Sequence, residues 1–143
     1  MVSLSKEQLS SAEVQDLLGG FDKMFSPSLS SHIDLVAFAE KLANNAFFIL
    51  CKNNEEIVGY IAFYENRDTR ISYIPSLCVK DSYRSKGIAA QMMCFLISQS
   101  HPAINSIALE VRKNNHSAVM FYKKQGFVEI EDRGEKLLMK KEI

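Results

Sequence analysis

Six consecutive residues, Arg84-Ser85-Lys86-Gly87-Ile88-Ala89, have the makings of an anion-binding turn. An apolar run, Leu77-Cys78-Val79, precedes them and an amphipathic helical pattern follows. At a helix start the first backbone N–H groups lack partners, and the positive end of the helix dipole converges with them on one spot. Gly87 and Ala89 leave little side chain in the way, while Arg84 and Lys86 add positive charge. A phosphate or pyrophosphate is the natural occupant. No G-K-[ST] follows and no G-x-G-x-x-G is present, so neither a P-loop nor a dinucleotide fingerprint is expected. Cys78 has no identified base beside it and reads as a small buried residue rather than a nucleophile. The three histidines are scattered, and Cys51, Cys78 and Cys94 form no C-x-x-C pair. Neither a metal site nor a disulfide framework is expected.

The elements that must position this segment follow from periodicity. Ser10-Ser11-Ala12-Glu13 reads as a capping box before Val14, Leu17, Leu18 and Phe21, with Gly19-Gly20 expected to stop or bend the helix. Phe25–Ser31, rich in serine and containing Pro27, reads as a loop. Leu35, Phe38, Ala39 and Leu42 repeat the helical spacing behind Asp34 as cap. The period then changes. Ala46–Cys51, Ile57–Tyr64 and Arg70–Val79 read as three strands with short links, an antiparallel meander, with a bulge or splay near Pro75. Gly87–Ser100 is the strongest helix, with Ile88, Met92, Phe95 and Leu96 on one stripe before Pro102. Ile104–Val111 is a strand and Asn115–Gln125 a helix carrying Ala118, Phe121 and Tyr122. Gly126 suits a left-handed position after it, with Phe127 packing back. Phe127–Glu131 and Lys136–Lys140 form a closing hairpin. The fold class is α/β, a mixed and mostly antiparallel sheet flanked by helices.

Composition sets the outer limits. The chain has 143 residues, 47% hydrophobic and 24% charged, with 17 basic residues against 17 acidic ones. That suits one domain over 1–143 and argues against disorder. The balance argues against a broad nucleic-acid surface, although Arg84, Lys86, Arg112 and Lys113 supply a local positive cluster. No apolar run is long enough for a membrane helix, and MVSLSKEQLSS is too polar for a signal peptide. A cytoplasmic protein without membrane or nucleic-acid partners is the expectation; a homodimer is compatible with it.

Two motifs go further. The turn matches R/Q-x-x-G-x-G/A, the pyrophosphate loop of the GCN5-related N-acetyltransferases. Leu109-Glu110-Val111-Arg112, followed by Asn115, Ala118, Phe121-Tyr122 and Gly126-Phe127, resembles that superfamily's second signature, in the right order and on the right elements. The resemblance extends from about Ala46 to the C-terminus. The family's first strand is hardly visible; either Val2–Leu4 supplies it or it is absent.

The resemblance implies acetyl-CoA as acyl donor, no metal, and a primary amine as acceptor: a small amine, an amino sugar, or a peptide or protein N-terminus. Leu77, Cys78 and Val79 would pair through their backbone with the pantetheine arm. Arg84, Ser85, Lys86, Gly87, Ile88, Ala89 and Ala90 would hold the pyrophosphate, and Asn115 would bond the pantetheine. Val79 N–H would meet the thioester carbonyl. Tyr122 would protonate the departing thiolate. Many relatives carry a glutamate on the strand before the loop, but Arg70–Val79 has none. Glu110 is the substitute, since enzymes that acetylate protein N-termini resemble this chain in Leu109–Arg112 and pair that glutamate with the later tyrosine. Tyr60, Tyr64 and Tyr73 either line an acceptor cleft or are ordinary strand residues. The alternative is a domain that binds or senses acyl-CoA without turnover, or a nucleotide-binding regulator using the same anion loop.

Overall fold

The computed structural model describes residues 2–25 and 27–143. Among the described residues, seven strands follow the order β1-β2-β3-β4-β5-β7-β6, with four α-helices between them in the chain. Two compact units share β3 (Glu56–Asn66) and β4 (Ile71–Val79): Met1–Phe63 with Ser76–Gln99, and Tyr64–Pro75 with Ser100–Ile143.

In the first unit, β1 (Val2–Glu7) pairs antiparallel with β2 (Phe47–Asn53), from Val2↔Asn53 to Glu7↔Phe48. The family's first strand is therefore present and longer than Val2–Leu4. Its polar sequence hides it, because the ladder with β2 rather than local propensity makes it a strand. β2 pairs antiparallel with β3, with a register shift between Cys51 and Lys52. Helix α1 (Ser11–Phe21) opens on the full capping box and buries Val14, Leu17, Leu18 and Phe21. It runs through Gly19-Gly20, expected to stop or bend it, and ends one residue later at Phe21. Two interior glycines cost about 2 kcal/mol, and burying Leu18 and Phe21 on either side of them offsets it.

The loop expected over Phe25–Ser31 includes Ser26, outside the described residues, and Leu29–Ser31 is a 3-10 turn. Helix α2 (Leu35–Asn45) starts at Asp34, whose carboxylate accepts from Val36 and Ala37 N–H. Helix α3 (Ile88–Ser98) buries Ile88, Met92, Met93 and Leu96. Gly59 on β3 is what lets it approach, since a Cβ there would lie 3.1 Å from Met92 Cε and 3.3 Å from Ile88 Cγ2.

In the second unit, β4 runs parallel to β5 (Ser106–Arg112) over Ile71–Ile74 against Ser106–Leu109, so the last pair directly precedes Pro75. Helix α4 (His116–Lys124) follows β5. β7 (Lys136–Glu142) pairs with all of β5, and β6 (Val128–Arg133) pairs with β7 on its other side. The closing hairpin is longer than expected because Asp132 and Arg133 also pair, leaving only Gly134 and Glu135 to turn.

Candidate active site

The first unit places the anion-binding turn at the end of β4. Lys80 N–H donates to Val58 O on β3 at 2.9 Å. Alternation along a strand therefore turns the N–H of Val79 away from β3. Gly87 caps α3 with a left-handed φ of 77°, and Ser85 has a φ of 63°. The first helical bond runs from Gln91 N–H to Gly87 O at 3.0 Å. Among the described residues, Arg84 and Ser85 form a turn closed at Lys86, and no backbone N–H from Gly87 to Ala90 has a protein acceptor. Four successive donors at a helix start, on an exposed turn without a side chain at Gly87, fit a pyrophosphate.

The positive side chains differ in what they do. Lys86 is exposed, its ammonium 5.4 Å from the centre of the Tyr83 ring. Arg84 is committed to the protein. Nε donates to Val79 O at 3.2 Å, Nη2 to Met24 O at 3.2 Å, and Nη1 lies 3.2 Å from Asp81 Oδ1. Lys113, in the second unit, pairs with Asp132 at 2.6 Å, so its charge is already compensated.

Two nearby groups are settled by burial. Cys78 is 5% exposed, and desolvation pushes its thiol up to about 11 against the opposing pull of Arg84. A thiol raised this far stays protonated near neutrality. Tyr60 is fully buried, edge-on to Phe21 at 5.0 Å and hydrogen-bonded to Ser76 Oγ at 2.7 Å. It is a core residue of its strand and lines no open cleft; burial raises its phenol above the ordinary range.

The second unit holds the remaining expected residues. Glu110, on β5, accepts from Tyr73 OH through Oε1 at 3.4 Å, while Oε2 lies 3.2 Å from Arg133 Nη1. Arg133 in turn faces Glu131, Nε to Oε1 at 3.4 Å. Burial, then the Glu110 carboxylate, raises the Tyr73 phenol. Asn115 caps α4, its Oδ1 accepting from Ala118 N–H at 3.3 Å, and among the described residues its Nδ2 has no protein acceptor. Capping and ligand contact therefore use different atoms of one amide. Tyr122 is buried, its ring edge-on to Phe121 at 5.4 Å and Phe127 at 5.5 Å. Gly126 has a φ of 96° and Phe127 N–H donates to Tyr122 O at 3.0 Å, so the residues after the helix fix the residue that carries the phenol.

Sequence reasoning missed Tyr73 and Arg133 as partners of Glu110. The only available signal was the register, with Tyr73 opposite Ala108 and Glu110 two residues further along the same face. Among the described residues no group of three or more potential metal ligands converges, and no helix is long and apolar enough to cross a membrane.

The surroundings agree with known proteins. The PaiA N-acetyltransferase of Thermoplasma acidophilum, solved with coenzyme A, superposes with a TM-score of 0.76 at 17% identity, over 99% of each chain. Arabidopsis thaliana NAA60, solved with a bisubstrate analogue, gives 0.75 at 15% identity, over 99% of this chain and 98% of that one. In sequence, the chloroplastic GCN5-related N-acetyltransferase 6 of Arabidopsis thaliana is 32% identical over 73 residues, 50% of this chain but only 25% of that protein. A family model described as Acetyltransferase (GNAT) domain matches residues 8–138. The chain belongs to the GNAT acetyltransferase family.

Proposed function

We propose that residues 1–143 are one domain that transfers the acetyl group of acetyl-CoA to a primary amine. The observation that carries this is the row of unpaired N–H groups from Gly87 to Ala90, on the turn that resembles the family's pyrophosphate loop. Acetyl-CoA would supply an activated thioester. Leu77 to Val79 would pair with its pantetheine arm through their backbone, and Asn115 Nδ2 would bond the same arm. Arg84 and Lys86 set the local positive charge. Val79 N–H, turned away from β3, would donate to the thioester carbonyl as charge develops on it.

The acceptor amine attacks the carbonyl carbon directly. Glu110 takes one of its protons through a water, the C–N bond forms, the C–S bond breaks, and Tyr122 protonates the thiolate. Holding both reactants together supplies much of the acceleration. The acceptor is a small amine, an amino sugar or a peptide N-terminus.

One observation favours a domain that only binds acyl-CoA: both oxygens of Glu110 already have partners. Calorimetry with acetyl-CoA, followed by thiol release over an amine panel, decides between them. Binding with CoA release from one amine class supports the enzyme. Binding with no release from any amine supports the sensor, and ATP binding as tightly as acetyl-CoA would point to a nucleotide regulator.

A further inference from the structure

The peptide unit joining Val79 to Lys80 is held at both ends. Its N–H donates to Val58 O at 2.9 Å and its C=O accepts from Arg84 Nε at 3.2 Å. The same guanidinium reaches Met24 O at 3.2 Å, just beyond α1, and Asp81 at 3.2 Å in the loop between. One side chain thus ties the end of β4 and the loop after it to the exit of α1, 60 residues earlier in the chain. Three of its five N–H groups serve these contacts. The N–H groups of Gly87 to Ala90 meanwhile offer an anion donors that need no side chain.

We propose that Arg84 is a positioning residue that fixes the end of the strand on which the acyl donor lies, rather than a ligand of its phosphates. The inference rests on the acetyl-CoA reading above. Its physical basis is that Val79 carries both the carbonyl held by Arg84 and the N–H assigned to the thioester. Rotation of that residue misdirects the donor even when the phosphates remain bound. Lysine keeps the charge but is a point donor, and it cannot bridge Val79 O and Met24 O with a planar fork.

The test compares R84K and R84A with the unaltered chain, using acetyl-CoA and a phosphate-free donor, S-acetylpantetheine. A positioning role predicts that both variants lose about tenfold in kcat, by a similar factor with either donor, and that R84K gives no rescue. A phosphate ligand predicts a KM effect confined to acetyl-CoA and restored by R84K, which overturns the proposal. Calorimetry of acetyl-CoA binding against salt gives a second reading that needs no turnover. An unchanged salt slope in R84A supports positioning, and a shallower slope overturns it. If the unaltered chain binds no acetyl-CoA, the site reading itself fails, whatever Arg84 does.

Discussion

Arg133 Nη1 lies 3.2 Å from Glu110 Oε2, while Tyr73 OH donates to the other oxygen of the same carboxylate at 3.4 Å. A carboxylate held this way keeps one orientation, and each oxygen retains a further lone pair for a water or an ammonium. Glu110→Gln keeps the shape and loses the charge. The expected outcome is a fall in kcat of at least about tenfold, loss of the rising limb of the pH–rate profile and little change in acetyl-CoA affinity. Steady-state kinetics from acid to neutral pH checks it; an unchanged profile removes Glu110 as base.

Tyr122 is packed by Phe121 and Phe127, so Tyr122→Phe preserves the ring contacts and deletes only the hydroxyl. A general acid contributes about 100-fold or more, and the expected loss is therefore in kcat, with acetyl-CoA binding largely retained. Calorimetry beside a thiol-release assay separates the two; full turnover in the variant excludes the acid role.

What the sequence made legible was local. The caps at Ser10, Asp34 and Asn115 rest on hydrogen bonds spanning two or three residues, and all three are in place. The stripe of α3 and the left-handed Gly126 are equally short-range. The ladder of β1 could not be read from Val2–Glu7, because its strand character comes from residues 48–53 opposite it. The setting of Glu110 was hidden for the same reason. Tyr73 reaches it through the parallel register, and Arg133 through a hairpin whose length depends on Arg133 pairing with Lys136. At Arg84 a one-dimensional motif shows the charge and not the carbonyls of Met24 and Val79 around it.

Gly87 tests the anion site from the backbone. Its φ of 77° is strained for any L side chain, although a Cβ there would meet only Gln91 Nε2 at 4.0 Å. Gly87→Ala therefore costs about 1 kcal/mol in backbone strain rather than in a clash. The expected outcome is a melting point lower by a few degrees and a several-fold weaker affinity for acetyl-CoA. Unaltered affinity would show that the turn does not bind the cofactor.

The Cys78 thiol, pushed up by burial to about 11 from an ordinary value of 9.0, links folding to alkaline pH. A raised folded-state value means that the unfolded chain releases the proton first. The stabilisation is complete below about pH 9 and is lost as pH rises through 11. Melting curves of the unaltered chain and Cys78→Ala from pH 8 to 11 should converge as pH rises, the variant losing less. Parallel curves would mean that the thiol ionises no later in the folded chain.

Tyr60 and Ser76 make the final test, of the core beneath the donor strand. Their 2.7 Å hydrogen bond satisfies two buried hydroxyls at once. Tyr60→Phe leaves Ser76 Oγ buried without that partner and should cost about 1–3 kcal/mol. Adding Ser76→Ala removes the orphan, so the double variant should be no less stable than Tyr60→Phe alone, and the cycle should show a coupling of about 1 kcal/mol. Denaturant unfolding of the four proteins measures it. Additive losses would mean that the pair contributes nothing as a pair, and that packing of the Tyr60 ring on Phe21 alone holds this end of β4.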